Sequence, residues 1–247
     1  MSRPASQAAF TLIELLVTLV VLTILATLFL PALSKAKEAA RQAGCANNLR
    51  QLGGGILLYA SENNGMFPQT SGAIGTCWDV QVAPYVGYES ATGESAYATA
   101  KGPPIFHCPA GKLSAANITT PWKSRGYAMN YHVSRGTSDS YSDGVQGRIS
   151  QIPAPSRLAL LMELWISPLW APGRNYEEHS YGNGSNNGED LIYAPAYLRG
   201  KTAFRHSGKM NVLFADGHVR LCEESVANPG CPADVVGYWK NGAAVSY

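Results

Sequence analysis

Between Phe10 and Leu33 the chain carries 24 residues, of which 18 are apolar and one, Glu14, is charged. A helix rising 1.5 Å per residue makes that stretch about 36 Å long, enough to cross a hydrocarbon core of about 30 Å. The overall composition of 46% apolar and 15% charged residues conceals this segment, because it averages an anchor with a polar remainder. The same composition excludes dominant disorder. A net charge of +2 brings no basic stripe, since Lys35, Lys37 and Arg41 form a short cluster interrupted by Glu38, so nucleic acid is not an expected partner. Glu14 stands out: a carboxylate at the bilayer centre costs about 2.5–3.5 kcal/mol on insertion scales, less near the interface, and such groups usually have partners.

Residues 1–9, MSRPASQAA, are short and polar, with Arg3 as their one cation. The small residues Ala8 and Ala9 precede the apolar run, whereas an ordinary signal peptide is cut after it. Beyond Leu33 the sequence LSKAKEAARQAGC continues as a good helix former, so the apolar segment is expected to stay in the mature protein.

The string Phe10-Thr11-Leu12-Ile13-Glu14-Leu15-Leu16-Val17 resembles the N-terminal signature of type IV pilins and type II secretion pseudopilins. The resemblance implies cleavage by prepilin peptidase between Ala9 and Phe10, N-methylation of Phe10, and Glu14 as the fifth mature residue. Pro31 then falls at mature position twenty-two, where pilins also carry a proline, while Ala9 stands where the family mostly has Gly. It also implies that Glu14 pairs with the α-amino group of a neighbouring subunit's Phe10, neutralising two groups that are each costly in lipid. The implied partners are prepilin peptidase, copies of itself or other pilins, and the inner-membrane assembly platform. The implied location is the inner membrane, single-pass, with the head outside the cytoplasm, and then a pilus or pseudopilus. Lys35, Lys37 and Arg41 outnumber Arg3, which by flanking charge alone would put the C-terminal side in the cytoplasm; the resemblance implies the reverse.

The expected organisation is a leader (1–9), a membrane and assembly helix (10–33), a continuation packed on the head (34–64), and a loop-rich head (65–247). The fold class is α+β, pilin-like, a long N-terminal helix on an antiparallel sheet. Leu49, Leu52, Ile56 and Tyr59 share one helix face, and Asn63-Asn64-Gly65 is a good stop. Gly53-Gly54-Gly55 implies close packing or a bend, and Pro31 is a second weak point. Arg157–Met162 reads as a buried strand. Residues 201–222 read as a β-meander of TAFRH, MNVLFA and HVRLC. A two-residue turn at Asp216-Gly217 would pair Phe214 with Val219 and Val212 with Leu221, and the preceding turn Phe204 with Val212, so that all five side chains share one face under the helix.

His206, nine residues, then Asp216-Gly217 is similar to the H-x9-D-G ending of a group of prepilin-type proteins; Cys45 with Asn48-Leu49, Cys108-Pro109, and Tyr127 with Asn130 resemble the same group. The residues themselves favour a structural reading, with Asp216-Gly217 as a tight turn and His206 packed or hydrogen-bonded at a strand end, over a metal site or catalysis. Calcium is the candidate cofactor, with Asn183, Asn187, Glu189 and Asp190 as ligands, or Asp139 and Asp143, but no D-x-[DN]-x-[DN]-G loop is present. The five cysteines contain no CxxC pair and suit an oxidising location. Cys222 with Cys231, and Cys45 with Cys108, are the candidate disulfides, and the sequence does not fix the connectivity. Thirteen Tyr and five Trp, among them Trp165, Trp170 and Trp239, line either the head's core or a ligand groove. The expected function is a structural filament subunit and not an enzyme, since no nucleophile–base constellation is evident. The alternative is a membrane-tethered module that binds a carbohydrate or surface ligand and uses the pilin-type signal for export.

Overall fold

Helix α1 spans Leu12–Glu62 and contributes to two compact units, Met1–Ala40 and Arg41–Tyr247. The computed structural model describes residues 11–68, 78–88, 104–111, 126–130, 133, 147–163, 204–225, 236–240 and 243–246.

In the first unit α1 exposes its large apolar side chains throughout, from Leu12 through Leu22 and Phe29 to Leu33. Hydrocarbon offers no water to polar groups, so each hydroxyl must be satisfied within the helix. Thr18, Thr23, Thr27 and Ser34 donate to the carbonyls of Leu15, Val20, Ile24 and Pro31 at 2.8–2.9 Å. The helix runs through Pro31 without interruption, although proline supplies no N–H to the ladder.

In the second unit the residues of α1 from Arg41 onward bury the expected stripe: Leu49, Leu52 and Ile56 are fully buried, and Tyr59 is half-buried with its hydroxyl donating to Gln81 at 2.6 Å. The helix stops as its sequence indicates. Asn64 and Gly65 take positive φ, the Gly65 N–H returns to the Ala60 carbonyl at 2.8 Å, and the Asn63 side chain donates to the Tyr59 carbonyl. The short helix α2, Trp78–Val82, and a 3-10 turn at Ala83–Val86 follow, and Trp78 packs edge-on against Phe106.

Four strands form an antiparallel sheet in the order β1 (Tyr127–Met129), β2 (Ala159–Glu163), β3 (Lys209–Phe214) and β4 (Val219–Glu223). One sheet face carries Tyr127, Met129, Leu161 and Leu213 into the cluster that contains Leu49, Leu52 and Ile56 of α1. The opposite face carries Ala128, Ala159, Met162, Met210, Val212 and Phe214 into a second cluster. The arrangement is α+β, a long N-terminal helix on an antiparallel sheet. Strands β5 (Val236–Lys240), which includes Trp239, and β6 (Ala243–Ser246) form a separate antiparallel pair.

The expected meander differs from the structure in two ways. Residues 204–208 are a turn and not a strand, so the neighbour of β3 on its inner side is β2. The β3–β4 register also lies one residue away from that expected: Leu213 faces Val219 and Val212 faces Arg220. The reason is the turn chemistry. At Asp216-Gly217 only Gly217 has positive φ, and the bonds Phe214 N–H to His218 O and Gly217 N–H to Phe214 O close a three-residue loop. That is a type I turn completed by a left-handed glycine, not the two-residue turn that needs positive φ at both positions. The two-residue turn is instead Ser207-Gly208, both at positive φ, with reciprocal backbone bonds between His206 and Lys209. The slip puts Leu221 opposite Asn211, on the α1-facing side, where it is 39% exposed on the edge strand, while Val212 and Phe214 face the opposite side with the Arg220 guanidinium over the Phe214 ring.

Candidate functional site

Two places bring polar chemistry into apolar surroundings. The first is the start of α1. Thr11 precedes the helix and Glu14 is in its first turn. The Thr11 N–H and hydroxyl both donate to Glu14 Oε2, at 2.9 and 2.8 Å, and the Glu14 N–H approaches Thr11 Oγ1 at 3.3 Å. This is a reciprocal capping box, which satisfies N–H groups that the helix itself leaves open. The sequence signal for it was the spacing T-x-x-E before an apolar run, which the reading of Glu14 as a subunit-pairing charge passed over. Both bonds fall on Oε2, so Oε1 has no partner among the described residues. Ala9 and Phe10 lie outside the described residues.

The second place lies in the second unit, where the α1-facing side of the sheet changes from apolar to polar. Pairing of Met162 with Val212 sets Glu163 of β2 beside Asn211 of β3, and Tyr127 of β1 lies across from Glu163. All three are buried, and Glu163 is fully so. The Asn211 amide donates to Glu163 Oε1 at 3.0 Å and accepts from Gln42 of α1 at 3.1 Å. His206, 3% exposed and fixed by the Ser207-Gly208 turn, places Nε2 at 3.1 Å from the same carboxylate oxygen. Cys45 of α1 and Cys108 form a disulfide against this group. Cys108 Sγ lies 3.6 Å from His206 Nε2 and 3.9 Å from Glu163 Oε1. The Asn48 amide donates to the His107 carbonyl at 2.9 Å, holding the Cys108 segment on the helix. Glu163 Oε2 is buried with no hydrogen-bond partner among the described residues.

Burial, and then the charge of Glu163, push the Tyr127 phenol well above its ordinary value. Burial pulls the half-buried Arg205 guanidinium down from its own, while Glu163 and Tyr127 pull it back up. Arg205 thus brings a cation close to Glu163.

His206 and Asp216 do not meet. Asp216 sits in the β3–β4 loop, where its carboxylate accepts from the His218 N–H at 3.1 Å and from the His218 ring. The H-x9-D-G spacing therefore joins two devices: a buried histidine at the entrance to β3 and a glycine-dependent loop at its exit. Glu163, the acceptor at the centre of the cluster, was missed, because a single Glu after an apolar strand reads as the strand's solvent-exposed end. Cys222 is buried, with its sulfur hydrogen-bonded with Arg220. Its expected partner Cys231 and the calcium candidates Asn183, Asn187, Glu189, Asp190, Asp139 and Asp143 lie outside the described residues, as do Cys77, Trp165 and Trp170.

Residues 4–30 match the prokaryotic N-terminal methylation motif, and residues 34–144 match the family described as a protein of unknown function, DUF1559. No curated protein and no solved structure matches the chain significantly. The methylation motif runs into the one described helix long and apolar enough to cross a membrane. The chain thus carries the N-terminal methylation motif followed by a DUF1559 segment, as type IV pilin-like proteins do.

Proposed function

We propose that the protein is a structural subunit of a type IV pilus-like or type II secretion pseudopilus filament. Prepilin peptidase cuts it between Ala9 and Phe10, Phe10 is N-methylated, and the mature chain assembles through α1 from the inner-membrane platform. The head lies outside the cytoplasm, a topology supported by the Cys45–Cys108 disulfide, which persists in oxidising compartments.

The observation that carries the reading is the division of labour at Glu14. Its Oε2 caps the helix, and its Oε1 is left to accept from a neighbour's terminal amine in lipid. The fully exposed apolar surface of residues 12–33 gives such helices room to pack against one another or against lipid. Glu14→Gln tests this, because the amide oxygen still caps Thr11 while the charge is gone. Membrane insertion and head folding are expected to stay normal, and filament assembly, scored by shear fractions and subunit cross-linking, to fail. Assembly at the wild-type level by the Gln variant would remove the basis for the pairing.

A further inference from the structure

We infer that Cys45, Cys108, Glu163 and His206 form a binding site for a thiophilic divalent cation such as Zn²⁺ when the two cysteines are reduced, so that metal binding and the disulfide are alternative states of one locus. The inference is independent of filament assembly, since all four residues belong to the second unit.

The four residues come from four separate segments, are all buried, and offer one ligand atom each within 4.8 Å of one another. Two thiolates, one imidazole and one carboxylate is a donor set that suits zinc. Zinc bonds of about 2.3 Å to sulfur and about 2.0–2.2 Å to nitrogen or oxygen give ligand–ligand edges of roughly 3.3–3.8 Å in a tetrahedron. The distances found are 3.6 Å for Cys108 Sγ to His206 Nε2, 3.1 Å for His206 Nε2 to Glu163 Oε1, and 3.9 Å for Cys108 Sγ to Glu163 Oε1. The first lies within such edges and the other two just outside them, with every ligand atom within 4.8 Å of the rest; the two sulfurs, joined to each other, lie far closer, and reduction releases them. Two features beyond the ligand set point the same way. Glu163 Oε2 is a fully buried oxygen lacking a hydrogen-bond partner among the described residues, which a bound cation would compensate. Asn211, itself held by Gln42, donates to the ligating oxygen, as outer-shell partners of metal ligands do.

The chemistry balances. Binding to the reduced chain forms two metal–sulfur bonds and releases the two thiol protons, and His206 takes the tautomer that carries its proton on Nδ1. Oxidation by a disulfide-bonded thiol carrier passes two electrons from the thiolates to that carrier's disulfide. It forms the Cys45–Cys108 bond and frees the metal, while the carrier's sulfurs take up two protons. A chain made with reduced cysteines would thus be held together at this point by metal until an oxidant replaces it with a covalent bond.

The test uses the full chain in detergent with Cys77→Ser, Cys222→Ala and Cys231→Ser, reduced by a phosphine that is then removed, and titrated anaerobically with Co²⁺. One equivalent is expected to bind with the thiolate charge-transfer and d–d bands of a tetrahedral site, to be displaced by Zn²⁺, and to be absent from the oxidised protein. Glu163→Gln and His206→Ala are each expected to weaken Zn²⁺ by at least about tenfold. Absence of thiolate–cobalt bands, or affinities unchanged in both variants, overturns the assignment. Where circular dichroism shows that these variants lose the fold, the reoxidation rate of the reduced wild-type chain decides. Slowing by stoichiometric Zn²⁺ supports the site, and an unchanged rate overturns it.

Discussion

Three consecutive glycines in the second unit's part of α1 allow a test of how closely its neighbours approach it. A glycine inside a helix costs about 1 kcal/mol relative to alanine, so alanine should stabilise wherever a methyl group fits. At Gly54 a Cβ would meet nothing within 4 Å. Gly54→Ala should therefore gain about 1 kcal/mol and, for a unit of this size, raise Tm by about 2–4 °C. At Gly53 a Cβ would lie 2.8 Å from Leu213 Cδ1 and 3.2 Å from Cδ2. Those atoms end a rotatable side chain, but Leu213 is fully buried, so an overpacking cost of about 1–3 kcal/mol cancels or exceeds the helix gain. At Gly55 a Cβ would lie 2.7 Å from Val86 Cγ1 and 3.0 Å from Val82 Cγ1. Valine is stiff at χ1, so Gly55→Ala should sit at the upper end of that range, a net loss of about 2 kcal/mol. The expected order of stability is Gly54→Ala, wild type, Gly53→Ala, Gly55→Ala, read from urea unfolding of the full chain in detergent by tryptophan fluorescence. Val86→Ala should recover part of the Gly55→Ala loss. A Gly55→Ala protein as stable as Gly54→Ala would refute the close approach of the Ala83–Val86 turn to the helix.

Replacing Cys45 and Cys108 together by Ala opens a crosslink spanning 63 residues, for which the chain-entropy relation gives a loss of about 4 kcal/mol in the same unfolding assay. Tyr127, whose phenol is raised above its ordinary 10.0, contributes stability that is fully present below pH 10 and declines as pH rises above it, because only the unfolded chain ionises there. Tyr127→Phe should flatten that alkaline decline, measured by unfolding from pH 8 upward. Leu221→Lys should change stability by less than about 0.5 kcal/mol because this residue is exposed on the edge strand, whereas Val212→Lys should abolish folding. Asn211→Leu removes a donor from a fully buried carboxylate and should cost at least about 2–3 kcal/mol; pairing it with Glu163→Met should return much of that loss.

Patterns with a single physical cause were legible in the sequence. The apolar run, the Leu49–Leu52–Ile56 stripe, the stop at Asn63-Asn64-Gly65 and a buried strand within Arg157–Met162 each follow from burial or backbone freedom alone. The β3–β4 register was not, because alternating Val212, Phe214, Val219 and Leu221 satisfies an apolar face equally well in the wrong pairing. What decided it was that Asp216 keeps negative φ, so the turn takes one residue more. The candidate site was legible only in part. Cys45, Cys108 and His206 were each singled out, but nothing local indicates that residues 45, 108, 163 and 206 meet. Glu163 carries no local signature, since its burial arises from the neighbours that the strand pairing brings to it.

The polar half of the sheet face also bears on why the strands pair as they do. On the α1-facing side, Leu161 beside Leu213 is followed by Glu163 beside Asn211. A slip of β3 along β2 by two residues would keep every side chain on its own face, and the apolar residues alone would tolerate it. It would, however, set Leu213 beside Glu163 in one direction, or Lys209 beside Glu163 and Asn211 beside Leu161 in the other. A fully buried carboxylate would then lose its amide donor, and Asn211 would lose Glu163 while Gln42 lost Asn211. Each stranded buried group costs about 1–3 kcal/mol, more where charge is involved, so the slipped state is excluded by polar groups and not by greasy ones. The Ser207-Gly208 turn then carries His206 to the same oxygen, and the Cys45–Cys108 link ties that point to the helix. A cluster that looks like an expensive interruption of the core is what gives the helix, β2 and β3 one mutual alignment, and it does so with the very donor atoms a metal ion would use.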